Sequence, residues 1–121
     1  MGRYAFFSTG LEYKFRFAIQ PSEDMLQFNG ISYDGPDEDS LIHKWEKKTD
    51  ELLIKKKLED YHYDDIKIDL TKFENNLEGT YDLKNHLDNI KEINDNHEFK
   101  LGYLIYHQLQ YVDILSVEFE L

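Results

Sequence analysis

Histidine and aspartate residues at short spacing form the group in this chain best suited to chemistry. His62, Asp64 and Asp65 lie close together in sequence, and imidazole and carboxylate groups bind zinc and harder divalent cations. A metal site needs three or more ligands that converge on one point. The fold would therefore have to bring these side chains together and supply further ligands from other parts of the chain. The sequence therefore offers a metal-dependent hydrolase, built on these three residues, as an alternative function.

Other catalytic signatures are missing from the sequence. The chain has no cysteine, which excludes a thiolate zinc site, a thiol nucleophile and a disulfide framework. No serine stands in a Gly-x-Ser-x-Gly motif, and the six glycines are isolated rather than grouped in a phosphate-binding loop. These features favour a binding function over enzyme catalysis and indicate no cofactor.

Charge is distributed unevenly along the chain, whose formal net charge is −11. Residues 21–43 hold six acidic side chains and no lysine or arginine, and residues 59–99 hold twelve acidic side chains against four lysines. Residues 44–58 hold six lysines against three acidic side chains. Because acidic surfaces attract cationic proteins and repel polyanions, we expect a basic host or viral protein as partner and no nucleic acid. The loop expected to bind that partner contains Asp34, Asp37, Glu38 and Asp39.

Aromatic residues also favour a binding function. The chain contains nine tyrosines, eight phenylalanines and one tryptophan, more rings than the core of so small a domain easily covers. Tyrosine suits interfaces because one end of its side chain is apolar and the other is polar. We therefore predict a homodimer whose interface includes Tyr103, Tyr106 and Tyr111.

Two aromatic and two basic side chains near the N-terminus allow two interpretations. Period-two alternation places Tyr4, Phe6, Lys14 and Arg16 on one face of a hairpin. Rings beside cations on a sheet face are typical of single-strand nucleic-acid binding, which the net charge opposes. In the other interpretation, Tyr4 and Phe6 pack beneath a helix and the two cations lie at its rim.

The elements that must position these residues begin with two strands, predicted over residues 3–7 and 11–19. Ser8-Thr9-Gly10 between them is typical of a hairpin loop in which glycine takes the left-handed conformation. Apolar and polar residues also alternate over residues 115–121, which predicts a final strand. We expect this strand to pair with the N-terminal hairpin.

Helical spacing dominates the middle of the chain. Asn29-Gly30 predicts a turn between short strands over residues 26–28 and 31–33. Apolar residues then recur at helical intervals from Leu41 to about residue 60, so a helix is predicted directly after the acidic loop. A short strand over residues 66–70 and a helical turn that Gly79 ends are predicted next. A second amphipathic helix is predicted over residues 83–93.

Residues 99–111 fit either a helix or a strand, and the lack of turn residues between Tyr103 and Asp113 favours the helix. Strands first, helices in the middle and a strand last predict an α+β fold, in which a largely antiparallel sheet packs against two or three helices. All 121 residues are assigned to a single domain. No stretch approaches the roughly 18 apolar residues of a membrane span.

Four short motifs stand near the N-terminus: Gly2-Arg3-Tyr4-Ala5, Ser8-Thr9-Gly10, Glu12-Tyr13-Lys14-Phe15 and Gln20-Pro21-Ser22. Together they resemble a group of short uncharacterised proteins from large DNA viruses. The resemblance implies a viral accessory or virion protein that is not secreted and acts in the host cytoplasm or nucleus, or in the virion. It implies no activity and assigns no catalytic residue.

Overall fold

The computed structural model describes residues 3–15, 28, 30–34, 40–60, 68–94 and 96–120. The strands are β1 (Arg3–Phe7), β2 (Glu12–Phe15), β3 (Ile31–Asp34), β4 (Ser40–Glu46) and β5 (Ile114–Glu120). The helices are α1 (Lys47–Asp60), α2 (Leu77–Asp88), α3 (Lys91–Asn94) and α4 (His97–Gln108), and a 3-10 turn covers Leu70–Lys72. The predicted α+β fold is confirmed.

The five strands form one antiparallel sheet in the order β2-β1-β5-β4-β3. The last strand, β5, lies in the centre, where Val117 is the register partner of Phe7 on one side and of His43 on the other. The predicted pairing of this strand with the N-terminal hairpin is therefore confirmed. The predicted hairpin loop is confirmed as well, since Gly10 has a φ of 104° and its amide donates a hydrogen bond to the Phe7 carbonyl.

One face of the sheet, called the inner face, packs against the helices. Side chains alternate between the two faces along each strand, and Trp45, Val117 and Phe119 on the inner face are fully buried. Helix α4 lies deepest among the helices, because every residue from 101 to 105 is buried. Inner-face and helical side chains form a single hydrophobic cluster, so the core lies entirely on this side of the sheet.

The predicted helix after the acidic loop is wrong in its first two turns. Residues 40–46 form strand β4, and helix α1 begins only at Lys47. Apolar spacing fitted both structures there, and β4 is a strand because it pairs with β5 on one side and β3 on the other. His43 and Trp45 consequently enter the core with the period of a strand. The Lys47 amide donates to the Asp113 carbonyl at 2.8 Å, which joins the start of the helix to the segment before β5.

The predictions around residues 66–79 also need correction. Ile68 and Asp69 lie outside any strand, and Asp69 instead caps the 3-10 turn that begins at Leu70. Gly79 does not end a helix, because it lies in the first turn of α2. Its amide donates to the side chain of Asn76 at 2.8 Å, and asparagine is among the preferred N-cap residues.

The predictions for the last helix and for the short strands have different outcomes. The helix favoured over residues 99–111 is confirmed by α4, which ends at Gln108. The predicted strand over 31–33 is confirmed by β3. Of the strand predicted over 26–28, Phe28 is the described residue, and it does not lie in a strand. The rest of that strand and the extension of β2 over 16–19 lie outside the described residues. Within the part of the chain that the structure describes, no helix is long and apolar enough to cross a membrane.

The glycines at the two turns allow a test of how closely the chain packs there. Gly30 and Gly10 both have positive φ, 92° and 104°, which disfavours larger residues. A Cβ atom at Gly30 would lie 2.6 Å from Trp45 Nε1, whereas one at Gly10 would lie 3.6 Å from its nearest neighbour, Leu77 Cδ2. We expect Gly30→Ala to lower the free energy of unfolding by about 2–4 kcal/mol and Gly10→Ala by about 1 kcal/mol. Urea unfolding measures both, and equal losses would contradict the close contact with Trp45.

Candidate protein-binding surface

The outer face of the sheet is the strongest candidate for a binding surface. Its side chains point away from the helices, because they alternate with the buried side chains of the inner face. Register places on it Glu12 and Lys14 from β2, Tyr4 and Phe6 from β1, Ser116, Glu118 and Glu120 from β5, Ser40, Ile42, Lys44 and Glu46 from β4, and Ile31 and Tyr33 from β3. All of these side chains are exposed or half-buried.

An aromatic strip covers the β1 side of the outer face. The rings of Tyr4 and Phe6 are stacked with their centroids 5.9 Å apart, and they remain 39% and 38% exposed. The Lys14 ammonium lies 5.9 Å from the centroid of the Tyr4 ring, within the range of a cation–π contact. The Tyr4 ring thus already holds one cation against its face.

An acidic strip runs along the middle of the outer face. Glu118 on β5 pairs in register with Phe6 on one side and Ile42 on the other, so a carboxylate lies between two apolar side chains. Glu120 pairs with Ser40 and accepts a hydrogen bond from the Tyr4 amide at 3.0 Å. Both carboxylates are therefore held at fixed positions by the central strand.

A second apolar strip lies on the β3–β4 side. Ile42 pairs in register with Tyr33, and Lys44 pairs with Ile31. Ile31 is 56% exposed and Tyr33 is 44% exposed. Large apolar side chains that stay exposed together, with polar groups around them, mark interaction sites on protein surfaces.

The outer face as a whole is acidic and aromatic. Among the residues that the structure describes, it carries four glutamates against two lysines, and Lys44 forms an ion pair of 3.9 Å with Glu46. A carboxylate between apolar strips suits a cationic side chain, whose charge meets the carboxylate while its aliphatic stem covers the rings. The same carboxylates repel a phosphate backbone.

The tyrosines predicted to form a dimer interface lie on and just after helix α4. Tyr103 is only 8% exposed and packs edge-on against Phe99 with ring centroids 4.9 Å apart. Tyr106 and Tyr111 are half-buried. Burial raises the pKa of all three phenols. Tyr103 thus belongs to the core, so only the other two offer surface to a second copy, and the interface stays a prediction.

The remaining predicted site residues lie largely outside the described part of the chain. Asp34 ends β3, but its side chain is not described, and Asp37, Glu38 and Asp39 are outside the described residues. His62, Asp64 and Asp65 are outside them too. Among the residues that the structure does describe, no group of three or more histidines and acidic residues is arranged to hold a metal ion.

A buried hydroxyl–imidazole pair joins helices α2 and α4. The Thr80 hydroxyl lies 2.7 Å from His107 Nδ1, 2.8 Å from the Tyr111 hydroxyl and 3.2 Å from the Asn76 carbonyl. A threonine hydroxyl beside a histidine resembles a nucleophile with its general base. Both residues are 0% exposed, so a substrate has no access to them. The cluster is therefore structural and satisfies buried polar groups between the two helices.

A second polar cluster ties strand β2 to the helices. Asp88 accepts hydrogen bonds from Lys84, at 3.2 Å, and from Lys100. Both ammonium groups also lie over the Tyr13 ring, 5.8 and 5.3 Å from its centroid. Burial would raise the pKa of Asp88, but the two lysines lower it below its usual value. Burial and the charge of Asp88 raise the pKa of Tyr13. The buried Lys100 is thus held by a fixed counter-charge.

Sequence reasoning found half of this surface. It placed Tyr4, Phe6 and Lys14 on one sheet face, which the structure confirms, while Arg16 is outside the described residues. It did not assign Glu118 and Glu120 to the same surface. The signal was present, because the alternation over residues 115–121 and the expected pairing with the hairpin together place both glutamates beside the two rings.

No protein-family model, curated protein or solved structure matches this chain.

The buried imidazole makes stability depend on pH. Burial lowers the pKa of His107, and the backbone of Phe73 and Glu74 offsets this only in part. Below about pH 6.5 the unfolded chain therefore takes up a proton that the folded chain does not, and stability falls until the lowered pKa is reached. For one proton the slope is at most about 1.4 kcal/mol per pH unit. We expect His107→Gln to reduce this slope in urea unfolding between about pH 7 and pH 5.

The same substitution at the exposed His86 is the matched control for that measurement, because it also removes one histidine from the chain. A wild-type slope that survives in His107→Gln would contradict the assignment of the pH dependence to the buried ring.

Proposed function

We propose that this protein is a non-enzymatic binding protein whose outer sheet face holds a basic segment of another protein. The observation that carries the proposal is the position of Glu118 between Phe6 and Ile42 on an exposed face, with Glu120 beside Tyr4 on the same strand. The setting implied by the N-terminal resemblance, a viral accessory or virion protein inside the host cell, is retained as part of the proposal. The partner is then a basic host or viral protein.

The two kinds of side chain on this face have different roles in binding. Arginine or lysine of the partner lies over the acidic strip and contacts the faces of Tyr4 and Phe6, which adds a cation–π component to the ion pairs. Apolar side chains of the partner cover Ile31, Ile42 and Tyr33. Charge thus sets the register and the rate of association, while apolar contact supplies most of the affinity.

The size of the outer face limits the affinity. Five strands of four to seven residues, spaced about 4.8 Å apart and about 13–24 Å long, give a face of roughly 450 Å². A standard protein–protein interface covers about 800 Å² per partner, and smaller ones are typical of transient complexes. We therefore expect dissociation constants in the micromolar range, which weaken as salt screens the exposed carboxylates.

Charge-neutralising substitutions test this proposal. The ligand is a short synthetic peptide rich in arginine and leucine, and calorimetry measures its affinity at about 0.05 M and about 0.3 M NaCl. We expect the double variant Glu118→Gln/Glu120→Gln to bind about three- to tenfold more weakly at low salt, since exposed ion pairs contribute about 0.2–1 kcal/mol each. Glutamine retains an oxygen that accepts the Tyr4 amide, so the strand pairing is preserved.

The matched control is Glu78→Gln/Asp82→Asn, which changes the net charge equally at two exposed positions of helix α2. We expect it to retain the wild-type affinity within about twofold. Equal weakening by both double variants would show that the peptide responds only to net charge and would overturn the proposal. Phe6→Ala adds an uncharged variant, and it should weaken binding at both salt concentrations.

A further inference from the structure

Helix α1 presents a basic face to solvent. Lys48, Lys55 and Lys56 are exposed and lie four residues before, three after and four after Leu52, which places all four side chains on one side of the helix. Leu52 is 78% exposed, the largest exposure among the large hydrophobic side chains of the described residues. The exposed Glu59 follows Leu52 by seven residues and lies on the same side of the helix, so this face carries three lysines against one glutamate. A leucine among mostly cationic side chains matches the chemistry proposed for the partner of the outer face.

We infer that the basic face of α1 in one copy of this chain docks on the outer sheet face of another copy. The inference rests on the proposed function, because it names the chain itself as one basic partner of that face. In the complex, Lys48, Lys55 and Lys56 lie over the acidic strip. Leu52 packs between the aromatic and apolar strips.

The basic face of α1 adjoins the outer face of its own molecule at one edge only. Lys48 and Leu52 line a cavity there with Glu46 and Ile114, at the ends of β4 and β5. Ile54 and Leu58 are buried in the core with the inner-face side chains, so α1 packs on the helical side of the sheet and cannot also lie across the acidic strip of its own outer face. The docked arrangement therefore requires a second copy, and it is heterologous, because each copy contributes a different surface.

Symmetric alternatives bring like charges together. Two α1 helices packed antiparallel about Leu52 place Lys48 of each copy beside Lys56 of the other. Two outer faces packed together place the acidic strips, Glu118 and Glu120, against each other. The heterologous contact instead joins a helix face with an excess of lysine to a sheet face with an excess of glutamate.

The dimensions of the two elements are compatible. A helix of 14 residues is about 21 Å long and about 10 Å wide, and the longest strands under it, β4 and β5, have seven residues each, about 24 Å. Helices packed on a sheet face are one of the standard layer arrangements of proteins. The docked helix would thus give the sheet a helical layer on its second side. Because one acidic and one basic surface remain at the ends, the assembly extends into a ring or a linear oligomer.

A complementation experiment tests the head-to-tail contact. Sedimentation velocity of the full chain should show a mean mass that rises with protein concentration and falls with added salt. The variants Glu118→Lys/Glu120→Lys and Lys55→Glu/Lys56→Glu should each stay monomeric at concentrations where the wild-type protein assembles, with association weakened at least about tenfold. A one-to-one mixture should regain assembly, since the intact acidic face of one variant meets the intact basic face of the other and the two reversed surfaces are again opposite in charge.

Circular dichroism checks that each variant is folded, and Leu52→Gln provides a test without charge reversal. Because this leucine is already exposed, we expect Leu52→Gln to weaken assembly while the thermal unfolding temperature is retained. Self-association of either double variant alone, or a mixture that stays monomeric, would overturn the inference.

Peptide binding and self-association together distinguish a failure of this inference from a failure of the proposed function. The variant Lys55→Gln/Lys56→Gln, which removes both charges without adding carboxylates that would themselves attract the peptide, keeps the outer face and should still bind the arginine- and leucine-rich peptide. A wild-type chain that stays monomeric up to about 1 mM but binds the peptide on the outer face refutes the head-to-tail contact and leaves the proposed function standing. A chain that neither assembles nor binds the peptide refutes both.

Discussion

The central position of strand β5 is the constraint on which the rest of the structure depends. Because β5 pairs with β1 on one side and β4 on the other, it joins the N-terminal hairpin to the following half of the sheet. Its inner side chains, Leu115, Val117 and Phe119, are fully buried. The residues between them face outward by the geometry of a strand. The strand that completes the core therefore also fixes the two carboxylates of the proposed binding surface.

Local sequence patterns predicted most of the strands and helices correctly. The incorrect prediction over residues 40–46 is explained by pairing with strands that are distant in sequence. The turn residues of the hairpin at Gly10 and the period-two alternation over residues 115–121 each fit one kind of structure only. Residues 40–46 carry apolar spacing that suits a helix and a strand equally, and only pairing with both neighbours makes them a strand. Glycine is unfavourable inside a helix, yet Gly102 lies within α4, because a Cβ there would lie 2.6 Å from the Phe28 ring. The glycine thus serves packing against a residue distant in sequence.

Exposure to solvent, and not residue type, separates the structural polar residues of this chain from those of the proposed binding surface. The Thr80–His107 pair and the buried Lys100 have the side chains of an active site, but they are sealed in the core and hold elements together. No sequence pattern separates such a histidine from a catalytic one, because the difference is access to solvent. The binding surface consists instead of ordinary glutamates and rings, and it becomes visible only when the register of the sheet brings Glu118 beside Phe6.

Mapping the peptide-binding surface residue by residue tests the central claim most directly. Amide resonances of the variant Lys55→Gln/Lys56→Gln, in which the proposed self-contact is weakened without adding carboxylates to α1, can be followed by two-dimensional NMR as the arginine- and leucine-rich peptide is added. The account predicts shifts concentrated on Tyr4, Phe6 and Glu118 and their strand neighbours, with helix α2 unchanged. Shifts centred on Tyr106 and Tyr111, or spread evenly over the acidic surface, would contradict it.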